Sequence, residues 1–240
     1  MSGAFYDLHL HSCLSPCGDN DMTPNNIANM AVLNGLQIIA LTDHNSCKNC
    51  PAILKAAQEL PLTVIPGMEL CTSEEVHVVC LFYSLAEAMA FDAYVHEKLP
   101  DIQNRPDIFG EQRILDEQDN LIGTEPKLLI NAADISVMDL KELSRQFHML
   151  CFPAHIDKDS NSIIANLGWI PDECAFTAVE IAHVENIEPY RQQYPNIRPM
   201  RVVTDSDAHY LWDIAEAVRT LPVDPAHPEQ LLDLLQSAAG

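Results

Sequence analysis

From Phe5 to His11 polar and apolar residues alternate, which places Asp7, His9 and His11 on one side of an extended strand and Leu8 and Leu10 on the other. A polar row turned inward with an apolar row turned outward suits a barrel strand whose open end carries ligands and whose back meets helices. Thr23 as N-cap and Pro24 at the first helical position then start a helix with Ile27, Met30 and Ala31 on one face, and Gly35 ends it. Residues 36–41 are an unbroken, mostly apolar run, the mark of a buried strand, and deliver Thr42-Asp43-His44 at its C-terminal end. This is a β-α-β unit. The same rhythm predicts strands over 62–66, 76–83, 149–154, 178–182 and 200–204. The helices between them are marked by Ser84 with Glu87, by Ser136 with Asp139, and by Asp159 or Ser160 ahead of Ile163, Ile164 and Leu167, with Gly168 as the stop. The fold expected is α/β, about seven strands in a barrel, with each candidate ligand at or near a strand's C-terminal end.

Residues 100–133 break the rhythm. They contain Asn104-Arg105-Pro106 and a turn-rich stretch over 116–123 that reads as a hairpin, so they are expected to form an insertion, a lid or flap, in a single domain spanning 1–240. The step from Glu69 to His77 is too short for a crossover helix and must be a loop or hairpin.

Of the 240 residues 48% are hydrophobic, enough for a sizeable core, yet no apolar stretch approaches the ~20 residues a membrane helix needs. The start, Met1 to Tyr6, lacks the basic and apolar regions of a signal peptide, so the expected location is the cytoplasm with no membrane contact. With 13 basic against 35 acidic residues the formal charge is -22, and the Lys/Arg stripes that bind phosphate backbones are missing. A long nucleic acid is therefore an unfavourable partner. Bound dications would reverse the sign locally and admit a small phosphorylated substrate.

Most of the available chemistry lies on short signatures in one order: Asp7-Leu8-His9-Leu10-His11, Cys17, Thr42-Asp43-His44, Gly67-Met68-Glu69, His77, Pro153-Ala154-His155 and Asp207-Ala208-His209. Imidazoles and carboxylates at the ends of apolar runs are the donor set of a divalent-metal cluster. A lone histidine is more often a hydrogen-bonded bystander, and His96, His148, His183 and His227 are read that way. His9 and His11, two residues apart on one strand face, converge on a point. Asp7, Asp43 and Asp205 are expected to orient neighbouring imidazoles.

These motifs, taken in order from Tyr6 to His209, resemble the polymerase and histidinol phosphatase (PHP) family, which opens with D-x-H-x-H and continues with T-D-H, G-x-E, single histidines and a closing D-x-H. The resemblance implies a seven-stranded distorted, TIM-like β/α barrel holding two or three divalent ions (zinc, manganese or iron) and a phosphoesterase activity. Carried over by position, it implies that His9, His11, Glu69 and Asp207 hold one ion, that Glu69, His77 and His155 hold a second, and that His44 and His209 serve a third. The chain departs from the family pattern after the opening motif, where Cys17 or Asp19 stands in place of a His or Asp ligand. Under this reading His44 or His209 protonates the leaving oxygen, and Lys158, Lys48, Arg105 or Arg113 neutralises phosphoryl charge.

Two rival readings stay open on sequence grounds. One is an amidohydrolase-like metal hydrolase, which also begins with H-x-H. The other is a regulatory or sensing protein in which Cys13, Cys17, Cys47 and Cys50 gather to hold an extra metal or an iron-sulfur cluster, or to act as a redox switch. Cys71, Cys80, Cys151 and Cys174 read as core packing.

Overall fold

The computed structural model describes residues 3–237. Met1 and Ser2, where the leaderless start was expected, lie outside them. Strands β1 (Ala4–Leu10), β2 (Ile38–Leu41), β3 (Thr63–Cys71), β4 (His77–Phe82), β5 (Arg113–Leu115), β6 (Leu121–Thr124), β7 (Met149–Pro153), β8 (Ala178–Glu180), β9 (Arg201–Val203) and β10 (Thr220–Leu221) are interleaved with helices. These are α1 (Pro24–Leu33), α2 (Cys50–Ala56), α3 (Leu85–Lys98), α4 (Pro106–Phe109), α5 (Leu140–Gln146), α6 (Ile163–Leu167), α7 (Ile187–Gln193) and α8 (Pro228–Gln236). Among the described residues no helix is long and apolar enough to cross a membrane.

The capping chemistry sets the helix ends. Thr23, Ser84 and Ser136 each accept a backbone N–H of the first turn, Ser136 in a reciprocal capping box with Asp139. Helix α6 is capped by Ser162 rather than by Asp159 or Ser160, and Gly168 closes it in the left-handed conformation at φ 83°.

Six strands form one curled sheet in the order β10-β1-β2-β3-β4-β7, and β8-β9 form a separate parallel pair. The β1-β2 and β2-β3 pairs are parallel, whereas β4 runs antiparallel to both β3 and β7. The short step from Glu69 to His77 is thus a hairpin, with Cys71 opposite His77. As a result His77 stands at the beginning of its strand, not at the C-terminal end expected of a regular β/α barrel. The pair β8-β9 joins the large sheet through single bonds, Ile156 N–H to the Glu180 carbonyl (2.9 Å) and His11 N–H to the Ala208 carbonyl (3.0 Å). The described residues therefore form an α/β half-barrel plus a strand pair, without the continuous seven-stranded ladder expected.

One face of the sheet meets the helices: Ile39, Leu41, Val78, Cys80 and Phe82 pack with Ile27, Ala31, Ile53, Phe91 and Leu140. The other face packs Leu8, Ile38, Ala40, Ile65, Val79 and Phe152, with Leu231, Leu232 and Leu235 of α8 as a plug. Leu8 and Leu10 fall in these two different cores, contrary to strict alternation. The cause is a register shift between Asp7 and Leu10, which re-aims the strand where it delivers its histidines. Gly67 allows β2 and β3 to close up, since a Cβ there would stand 2.7 Å from Thr42 Cγ2.

The 100–133 segment holds α4 and the antiparallel β5-β6 hairpin, as its turn-rich composition predicts. It is bolted to the loops after β1 and β2: Arg113 N–H donates to the Cys13 carbonyl, Asp119 accepts from Thr23 Oγ1, and Asn45 Nδ2 donates to the Leu129 carbonyl.

Candidate metal centre

The Glu69 side chain, buried in the middle of β3, is the hub. Its Oε1 lies 3.2 Å from His9 Nε2, 2.9 Å from His77 Nδ1 and 3.2 Å from His155 Nε2, and its Oε2 lies 2.9 Å from His44 Nδ1. Asp207 Oδ1 completes the other side at 3.4 Å from His9 Nε2 and 3.1 Å from His11 Nε2. Ligand atoms close enough to share a cation fall into three groups: His9, His11, Glu69 and Asp207; His44, Glu69 and His77; and His11, His44 and His209. The structure thus brings eight of the nine expected ligand residues to one place, with His11 joining the third group beside His44 and His209. His155 enters through its contact with Glu69.

The pattern of protons fits a cation better than a hydrogen-bond network. Ser15 Oγ donates to Asp43 at 2.7 Å, so His11 Nδ1–H must donate to Ser15 Oγ, and His9 Nδ1–H donates to Glu180 at 2.8 Å. The two Nε2 atoms then face each other at 3.2 Å, where only one proton fits, or a cation that both coordinate. His44 Nδ1 and Glu69 Oε2, although 2.9 Å apart, are both buried without a hydrogen-bond partner, and so is Asp207 Oδ1. Unpaired buried acceptors that converge in this way are costly unless a cation joins them. The clusters are able to hold metal ions.

Without such ions, protons carry the positive charge. Burial disfavours the Glu69 carboxylate, but His77, His9 and His44 outweigh it and hold the group well below its ordinary range. Burial likewise opposes a charged His77, and the Glu69 charge overcomes it, raising the imidazole to about 10. His9 is held high against burial by Glu180 and Glu69, whereas burial and the neighbouring imidazoles His209 and His44 keep His11 low. His155 and Asp207 adopt left-handed backbone at φ 28° and 52°, strain of a kind that clusters at functional sites.

The centre opens into a cleft of about 200 Å³ lined by His44, Glu69, His77, His155, Lys158, Ser160, Asn161, Asp207 and His209. Lys158 pairs with Asp207 Oδ2 at 2.5 Å. A larger cavity of about 340 Å³, between α5, β7 and the 174–177 segment, contains none of these residues. Lys48 pairs instead with Glu125 and Arg105 with Asp107, both away from the cleft, and no residue of 100–133 lines it. The insertion therefore buttresses the site's loops and does not cover the cleft as a flap.

Three expectations of detail change. Asp43 does orient an imidazole, His11, but through Ser15. Asp205 accepts from Leu8 N–H at 2.7 Å and not from His209, whose Nδ1 meets the Asp207 carbonyl at 2.7 Å. Asp7 accepts from Ser206 and Ala215 and touches no histidine. Glu180, the partner of His9, was missed because it sits alone on a short strand with no motif around it.

Cys17 is exposed and Asp19 accepts from Asp21 N–H, and neither belongs to a ligand group. Cys47 and Cys50 turn inward toward the Gly67 carbonyl (3.2 and 3.6 Å), Cys13 is buried, and among the described residues no ligand group includes a cysteine. The four-thiol cluster is therefore not formed, because two of its members pack in the core.

The PHP domain family model matches residues 7–152, and the chain belongs to that family. A 5'-3' exoribonuclease of Haemophilus influenzae is 33% identical over 79 residues, 32% of this chain and 28% of that protein. The chain thus covers less than a third of that curated relative's length. The lesion-specific endonuclease PfuEndoQ of Pyrococcus furiosus superposes with a TM-score of 0.66 at 18% identity over 87% of this chain and 49% of that one. A candidate metal-dependent phosphoesterase of Bifidobacterium adolescentis superposes with a TM-score of 0.63 at 18% identity, over 94% and 95% of the two chains. These likenesses fix the shared fold.

Proposed function

We propose that the protein is a metal-dependent phosphoesterase that cleaves a small phosphorylated substrate, a phosphomonoester or nucleotide, at a di- or trinuclear centre. The observation that carries this reading is the single carboxylate of Glu69, contacted by four imidazoles at 2.9 to 3.2 Å. A shared carboxylate suits paired cations that clamp both oxygens of an in-line displacement. His9, His11, Glu69 and Asp207 would hold one ion, Glu69, His77 and His155 a second, and His11, His44 and His209 a third. Zinc, manganese or ferrous ions there would polarise the phosphoryl oxygens and acidify a water.

The chain's own residues supply the rest. Glu180 and the Ser15–Asp43 pair fix the His9 and His11 rings with Nε2 toward Glu69 and Asp207. Lys158, kept charged by Asp207 against the effect of burial, places a cation at the rim where phosphoryl charge collects. Burial lowers the His209 pKa, which suits a neutral ligand ring at the third site, and at a dinuclear centre, where His44 holds no ion, His44 would be the proton donor to the leaving oxygen. The names of the nuclease relatives extend the range of substrates to nucleic acid, and the charge of -22 restricts that range to nucleotides and short strand ends. Strands β1, β2, β3, β4, β7, β8 and β9 are read as a distorted seven-stranded barrel, the pair β8-β9 meeting the large sheet through its two single bonds and β10 lying outside the seven. Eight free cysteines suit a reducing cytoplasm.

The test is a panel of phosphomonoesters and diesters assayed with manganese, zinc and ferrous iron. Turnover that requires added metal and disappears in His9→Ala and Asp207→Ala is expected. Turnover that survives chelation, or none with any metal, overturns the proposal.

A further inference from the structure

Directly after His209 the chain leaves the centre through Tyr210-Leu211-Trp212, and the two aromatic rings stack, 5.1 Å between centroids and 17° between planes. Both face solvent, Tyr210 at 40% and Trp212 at 75% exposure. A single exposed hydrophobe needs no explanation, but a stacked aromatic pair one residue from a metal centre does. His209 itself belongs to the centre, its ring stacked on His11 at 4.3 Å.

The loop that presents the pair is tethered to the body of the fold at both ends. Asp7, fully buried, grips both of its ends: it accepts from Ser206 N–H (3.0 Å), Ser206 Oγ (2.6 Å) and Ala215 N–H (3.1 Å). Asn34 Nδ2 donates to the Ile214 carbonyl at 2.8 Å, and Asp19 N–H donates to the His209 carbonyl at 2.9 Å. Flat aromatic surface on a tethered backbone is what a stacking partner needs, since less ordering cost remains on binding.

We propose that Tyr210 and Trp212 form a base-stacking subsite for a nucleotide or short single strand whose phosphoester lies at the metal centre. The inference rests on the phosphoesterase reading and narrows it: the substrate carries a nucleobase and is not a sugar or amino-alcohol phosphate. Every base has a π face, so stacking gives affinity without sequence preference. It also gives affinity without positive charge, which a chain of 13 basic and 35 acidic residues lacks.

Two matched substrate pairs test this on the manganese-loaded protein: adenosine monophosphate against ribose phosphate, and the nitrophenyl ester of thymidylate against methyl nitrophenyl phosphate. Trp212→Ala and Tyr210→Ala are expected to lower the preference for the base-bearing member about tenfold, through KM, and Trp212→Phe to restore most of it. A second readout needs no truncated platform. In a Trp169→Phe background Trp212 is the sole tryptophan, and its fluorescence should be quenched by adenosine phosphorothioate and not by ribose phosphate. An unchanged preference in Trp212→Ala, or equal quenching by both probes, overturns the subsite while leaving the phosphoesterase reading intact. Base-dependent quenching with no hydrolysis of any pair leaves the subsite standing and removes the phosphoesterase reading.

Discussion

His9 Nδ1 lies 2.8 Å from the Glu180 carboxylate, and neither side chain is open to solvent. This contact fixes which nitrogen of His9 is left to bind a cation and strengthens its lone pair. Glu180→Gln preserves shape but removes the charge. It should weaken metal binding about 10- to 100-fold, read by competition against a chromogenic chelator, with the fold retained by circular dichroism.

Removing metal should destabilise the protein. Glu69 and Asp207 face the same few ångströms, and without a metal ion their repulsion is offset by protonated imidazoles and by Lys158 on Asp207. Dialysis against a chelator is expected to lower the thermal midpoint, and free metal at about a hundred times its Kd to return about 2.7 kcal/mol. Asp207→Asn should bind fewer ions by elemental analysis.

The thiols of Cys47 and Cys50 are packing groups. Freshly purified protein should show no charge-transfer absorbance in the visible, and replacing both with Ala should leave metal content unchanged. The same double substitution should lower stability by about 1 to 3 kcal/mol in denaturant melts, because it opens space beneath Gly67.

Glu125 gives a pH signature separate from the centre. Burial would raise its pKa, but the bond from Lys48, the Lys127 N–H and the Lys48 charge outweigh burial and hold it below the usual carboxylate value. The folded pKa is therefore lower than the unfolded one. Its stabilisation is complete above the unfolded value and is lost as pH falls through the folded value. The difference in thermal midpoint between wild type and Glu125→Gln should be largest near neutrality and shrink below about pH 4.3. A difference independent of pH would show that the ion pair contributes nothing.

Much of the centre could be read from the chain because most of its ligands sit in short local motifs in or just after apolar strands. Their period and order survive folding. What escaped was whatever depends on long-range register. The β3-β4 hairpin reverses a strand, so His77 enters from the opposite end. The shift between Asp7 and Leu10 sends Asp7 to Ser206 and Ala215 instead of to an imidazole. Glu180 becomes visible only when β8 is laid beside the rest. Cys47 and Cys50 mimic a chelating spacing, yet their burial is decided by the close contact of β2 and β3 at Gly67, which spacing cannot report.

That hairpin also orders events in time. Glu69 and His77 are neighbours on a local turn and can meet as soon as residues 63–82 have been synthesised, whereas Asp207 lies far downstream of them. Until Asp207 has been made, a nascent chain holds only part of the donor set, and the segment that delivers Asp207 completes the group with His9, His11 and Glu69.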